Sequence, residues 1–143
     1  MRPVQKKKER LTDEEIEKCR IVASKDLRES ALFELMMSTG MRVGEISILR
    51  VEDIDFNENE VKIWGEKTSQ ERIGFLTPSA KIVLQRYLNG RTSGYVLTNI
   101  RNDNKISITK LDMMAKKIAR EAGCAVTATV HIYRKTFASV QYR

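Results

Sequence analysis

The sequence predicts an α+β fold that is mostly helical, with one small antiparallel β-sheet. Two observations carry this. Capping signals and 3.6-residue apolar spacing mark helices at both ends of the chain, and a short run of alternating residues broken by polar turns marks strands between them. The 143 residues suit a single domain, and 41% hydrophobic content is enough for a core. The division read from the sequence is a basic arm over 1–10 and one domain over 11–143.

The helices follow in order. In LTDEEIEK, Thr12 and Glu15 form a capping box that opens a helix to about Ser24. A second helix begins near Asp26, with Leu27, Ala31, Leu35 and Ser38 at helical spacing and Leu32 and Met36 beside them, and stops at Gly40. VGEISILR fits a short helix with Ile46 and Leu49 facing inward. The pattern changes at Ile54: IDF, a turn at NENE and VKIW read as a hairpin, and ERIGFL is a third strand after a polar turn over 65–70. TPSAKIVLQRYLNG is a helix with Thr77 as N-cap, Pro78 at N1 and Gly90 closing it. GYVL adds a brief extended piece. SITKLDMMAKKIAREAG is a helix ending at Gly123, and a last helix covers 130–141.

Charge is unevenly placed. The total is +7, from 26 basic and 19 acidic residues. Residues 1–10 hold five basic residues and one acid, 11–99 hold twelve and fifteen, and 100–143 hold nine and three. Basic ends around an acidic middle suggest a polyanionic partner. No stretch approaches a membrane span of about eighteen apolar residues, and MRPVQKKKER lacks the apolar run of a secretory signal, so a cytoplasmic protein is expected. The two cysteines, Cys19 and Cys124, have no metal-ligand spacing and read as reduced, partly buried small residues.

Three stretches carry candidate chemistry. In TGMRVGEISILR, Arg42 lies between a helix-ending glycine and a new helix, where its guanidinium and free N–H groups can face one anion. Glu45 is three residues on and can orient it. An ordinary surface pair is the plainer alternative. Lys67, in a polar turn between strands, can bind a phosphate oxygen or donate a proton, or be merely solvated; Arg72 has the same ambiguity. In HIYRKTFAS, His131 and Arg134 share one helix face, while Tyr133, Phe137 and Val140 share another, on which the aromatic pair reads as core. His131 is the only histidine, and a structural role is its plainer alternative.

The order of these pieces is more specific than any one of them. T-G-x-R-x-x-E, then a lysine turn, then H-x-x-R resembles the catalytic domain of the tyrosine recombinase (phage integrase) family, from about Arg10 to the end. LR-x-x-DID, L-T-P-x-A, K-I-A-x-E-A-G and R-K-T-F-A-S add to the resemblance. It implies DNA strand cleavage and rejoining through a 3′-phosphotyrosine link, without metal or other cofactor. It also implies that Arg42 and Arg134 clamp the scissile phosphate. Lys67 would then protonate the departing 5′ oxygen, His131 would act as general acid/base and phosphate ligand, and Glu45 would be accessory. The implied partner is double-stranded DNA, on which the family assembles as a tetramer; a monomer is expected without DNA.

Departures from the pattern set a further expectation. Lys135 stands where many members have a second histidine. Members continue past H-x-x-R to a histidine or tryptophan and then the nucleophilic tyrosine, on later helices. Tyr142 does not substitute: on an unbroken helix, at ~1.5 Å per residue, it lies roughly 16 Å from His131 and about 12 Å from Arg134 along the axis. A nucleophile must come within about 3–3.5 Å of the phosphorus. The chain is thus expected to be a C-terminally incomplete catalytic domain, inactive alone. The alternatives are a non-catalytic DNA-binding regulator or decayed integrase, or a helical domain binding RNA or phosphoprotein through its basic ends.

Overall fold

A computed structural model describes residues 9–65 and 69–141. Lys67, Tyr142 and most of the basic arm lie outside the described residues. The architecture is the mostly helical α+β arrangement expected, with six helices and a three-stranded antiparallel sheet among the described residues.

Helix α1, Asp13–Ala23, starts at the capping box: the Glu15 N–H donates to Thr12 Oγ1 at 3.1 Å and the Thr12 N–H to Glu15 Oε1 at 2.9 Å. Helix α2, Leu27–Thr39, is capped by Asp26, which accepts from the Glu29 N–H. It ends at Gly40, whose φ of +65° is the left-handed turn that glycine adopts without Cβ strain. The expected apolar stripe on α2 is wider than one face. Ala31 to Met36 are all buried, because α2 packs against α1, α4, α5, α6 and β3, whereas Leu27 at its start is half exposed. This helix is the centre of the core.

Helix α3, Val43–Ile48, begins three residues after Gly40, with Ile46 and the following Leu49 buried as expected. A 3-10 turn over Val51–Asp53 leads to strands β1 (Ile54–Asp55), β2 (Glu60–Trp64) and β3 (Gln70–Phe75), in the order β1-β2-β3. Arg72 pairs with Ile63, and an irregularity follows between Ile63 and Trp64.

Helix α4, Pro78–Leu88, has the Thr77 cap and the proline at its first position. Its closure differs from the expectation: Asn89 already turns left-handed (φ +47°), and Gly90 follows at +88°. Asparagine tolerates this conformation, so the helix stops one residue earlier. GYVL contributes one bridge, Tyr95 to Arg50, rather than a strand. Helix α5 is Ile108–Glu121, capped by Ser107, and α6 is Val130–Gln141. The Val130 N–H at the start of α6 donates to Asp112 Oδ1 of α5 at 3.0 Å, which fixes where α6 begins.

The apolar face expected on α6 divides. Tyr133 is fully buried, its hydroxyl donating to Ala115 O at 2.9 Å and its ring edge-on to Phe33. Phe137 is only half buried and Val140 is exposed. No helix among the described residues is long and apolar enough to cross a membrane.

Candidate functional site

The site grows from the Gly40 turn. Gly40 ends α2 and redirects the chain so that Arg42 becomes the N-cap residue of α3. Glu45, one turn into α3, accepts from the Arg42 N–H at 2.8 Å and from Arg42 Nη1 at 3.2 Å. Its side chain thus closes the α3 N-terminus and restrains the arginine that precedes it.

Arg72 enters from β3. It donates Nη1 to Glu45 Oε2 at 2.8 Å and Nη2 to Glu45 Oε1 at 2.9 Å, a two-pronged pair. Glu45 is only 4% exposed and accepts four hydrogen bonds from the two arginines. Burial pushes its carboxyl up, but the Arg72 and Arg42 bonds and the Arg72 charge outweigh this and hold it below the usual carboxylate value. Glu45 is therefore charged at neutral pH. Glu71 sits beside this pair, with Oε2 3.3 Å from Arg42 Nη1 and 3.7 Å from Arg72 Nη1.

Arg134 arrives from α6, which packs on α2. It donates Nη1 to Gly40 O at 2.9 Å. Burial, then the like charges of Arg42 and Arg72, pull its guanidinium below the ordinary arginine value, opposed by Glu45 and Glu71. Arg72 and Arg134 line one open cavity of about 360 Å³ with Thr39, Gly40, Phe137, Ala138 and Gln141. The Phe137 ring occupies the space where a side chain on Gly40 would stand. Gly40 is thus required both for its left-handed turn and for this approach.

Three guanidinium groups, Arg42, Arg72 and Arg134, gather here against two carboxylates, Glu45 and Glu71. Arg42 remains 55% exposed. An anion with several oxygens would find surplus positive charge and forked donors in one place. No group of three or more metal-ligating side chains occurs among the described residues.

Of the residues singled out in the sequence, Arg42, Glu45 and Arg134 come together. His131 is exposed on the first turn of α6, its side chain makes no hydrogen bond to another described residue, and it is not among the described residues lining the cavity. Arg72, ambiguous in the sequence, belongs to the cluster. Its signal was the alternation of β3, which turns Arg72 and the buried Gly74 to the same face.

This combination of fold and arginine cluster defines a class. The phage integrase family profile matches residues 9–143, and the chain belongs to that family, the tyrosine recombinases. Curated relatives include the tyrosine recombinase XerA of Saccharolobus solfataricus, 28% identical over 121 residues (85% of this chain and 39% of the relative). Tyrosine recombinase XerC of Chlamydia caviae is 32% identical over 118 residues (78% and 38%), and XerA of Pyrococcus furiosus 31% over 134 residues (90% and 46%). The chain spans less than half the length of these relatives. Among solved structures, a XerA recombinase superposes with a TM-score of 0.88 at 24% identity, over 99% of this chain and 52% of that one. XerH bound to its difH substrate, in a pre-cleavage complex, gives 0.79 at 20% identity, over 99% and 45%.

Proposed function

We propose that this chain is the phosphate-binding part of a site-specific recombinase catalytic domain, and that its ligand is the backbone of double-stranded DNA. The observation that carries this is the surplus charge of the arginine cluster beside an open cavity. The DNA-bound state of the XerH neighbour supports the same ligand.

In this reading Arg42 and Arg134 grip the non-bridging oxygens of one phosphate and stabilise the charge that grows on them as a fifth oxygen approaches phosphorus. Glu45 and Arg72 hold Arg42 in place. His131 is the general acid/base and a phosphate ligand, moving towards the phosphate when DNA binds, since it is exposed and unpaired within the described protein. Lys67 delivers the proton to the departing 5′ oxygen. The reaction needs no metal or other cofactor, because the arginines supply the charge stabilisation and the proton carriers are side chains. The protein acts in the cytoplasm, as a monomer until DNA assembles four copies.

Residues 1–143 bind DNA without cutting it. Tyr133 is buried and bonded to Ala115, and burial pushes its hydroxyl far up. The Tyr87 and Tyr95 rings lie against Arg91 and Arg50, neither of which belongs to the cluster. The same tyrosines favour the second reading, a non-catalytic DNA-binding regulator.

Fluorescence anisotropy with a labelled duplex tests the proposal. Binding is expected at about 50 mM salt and should weaken steeply with added salt. No binding at low salt overturns it. A nicked suicide duplex separates cutting from binding: a covalent DNA adduct of residues 1–143 would overturn the expectation that they do not cleave.

A further inference from the structure

The two cysteines are 105 residues apart in sequence, yet their sulfurs lie 3.6 Å apart. Both are free thiols; Cys19 is buried on α1 and Cys124 is half buried in the connection from α5 to α6. Their closeness does not depend on the thiols themselves. The Cys124 N–H donates to Ala119 O at 3.0 Å, folding the connection back on the end of α5. The next residue, Ala125, donates its N–H to Glu15 Oε2 at 2.9 Å. Glu15 is one turn before Cys19, on the same face of α1. One bond therefore ties residue 124 to the end of α5, and the other ties residue 125 to α1 one turn before the residue that carries the other sulfur.

We propose that Cys19 and Cys124 form an oxidative modification site, closing to an intramolecular disulfide that staples α1 to the segment leading into α6. The sulfurs need to approach by roughly 1.6 Å to reach bonding distance, a shift within the reach of side-chain rotation. The oxidant is a peroxide. The Cys124 sulfur, the more accessible, attacks one peroxide oxygen; the O–O bond breaks, giving a sulfenic acid and one water. The Cys19 sulfur then displaces the hydroxyl as a second water, and the S–S bond forms. The two sulfurs lose two electrons, the peroxide gains two, and both thiol protons leave in water.

Burial pushes both thiols up, Cys124 to about 12, so little thiolate exists near neutral pH and the first step is slow beside that of an exposed cysteine. The same burial protects the disulfide once made. Its structural effect falls on α6, which carries His131 and Arg134 and begins only six residues after Cys124.

The reduced chain, treated with excess hydrogen peroxide and then quenched, gives the test. Free thiols counted in denaturant should fall from two to none, the chain should remain monomeric on a non-reducing gel, and a peptide map should show residues 19 and 124 linked. The Tm should rise by roughly 10 °C, reversed by dithiothreitol, because the link closes a long loop. The half-buried position allows Cys124→Ser as a control, which should show no rise; the peptide map needs no variant. Persistence of both thiols, oxygen adducts on Cys124 without a link, disulfides only between chains, or an equal rise in Cys124→Ser would each overturn the proposal.

Discussion

Two glutamates are buried among the described residues, Glu34 at 3% exposure on α2 and Glu45 at 4% on α3, and each is held by an arginine. Their surroundings differ. Arg20 donates Nε to Glu34 at 2.9 Å and Nη1 to Glu17 at 2.6 Å, and its guanidinium stacks on the Phe33 ring. One arginine there faces two carboxylates. Although burial works against it, the hydrogen bonds it donates to both acids raise its guanidinium above the ordinary value. At Glu45 three arginines face two carboxylates, and burial together with the like charges of Arg42 and Arg72 pulls Arg134 down instead. The first is a strut with its charge fully answered; the second keeps positive charge in reserve beside a cavity. A buried salt bridge alone does not identify a site. The balance of charge around it, and whether that surplus meets open space, does.

The comparison can be broken by experiment. The largest effect is expected from Gly40→Ala, which forces a side chain into a left-handed turn and into the Phe137 ring. It should cost about 3 kcal/mol and lower the Tm by roughly 10 °C in thermal melts, while also disturbing the carbonyl that holds Arg134. A normal Tm would mean that Phe137 yields freely. Next, Arg42→Ala combined with Arg134→Ala should weaken duplex binding ~100-fold, or about 2.7 kcal/mol, and flatten the salt dependence by about two phosphate contacts, with little change in Tm. Arg20→Ala should do the reverse. Loss of the partner of buried Glu34 should cost about 2 kcal/mol in denaturant unfolding, with duplex affinity unchanged. If Arg20→Ala weakened binding as much as the paired site variants, strut and site would not be distinct.

The smallest effect is in pH. The folded Glu45 carboxyl lies below its unfolded value, so its stabilisation is fully present above the unfolded value of about 4.3 and is lost as pH falls through the folded one. The Tm advantage of the wild type over Glu45→Gln should therefore be constant near neutrality and shrink below about pH 4.3. An advantage that grew on acidification would reverse the sign assigned to Arg72.

Much of the fold was legible because its signals are local. The Thr12, Asp26, Thr77 and Ser107 caps act within three residues, and the left-handed turn at Gly40 follows from that glycine alone. The errors were also physical. The stripe on α2 was too narrow because periodicity cannot report a helix surrounded on all sides. Phe137 was assigned to a core that covers it only in part, and Asn89 took the turn assigned to Gly90. Within the site, the Arg42–Glu45 bond was readable at a spacing of three residues. The role of Arg72 was not, since its partner lies 27 residues away.

By itself the sequence determined the element order, the helix starts and the family, because capping, periodicity and motif order all depend on neighbours a few residues apart. Only the tertiary structure decided which charges meet. Arg134 reaches Gly40 across 94 residues, Arg72 reaches Glu45 across 27, and two cysteines read as unrelated come within 3.6 Å. Those distances are set by how α6 packs on α2, how β3 aligns beside α3, and how the α5–α6 connection folds onto α1. Such packing sums many weak apolar contacts along the whole chain, and no short stretch of sequence contains it.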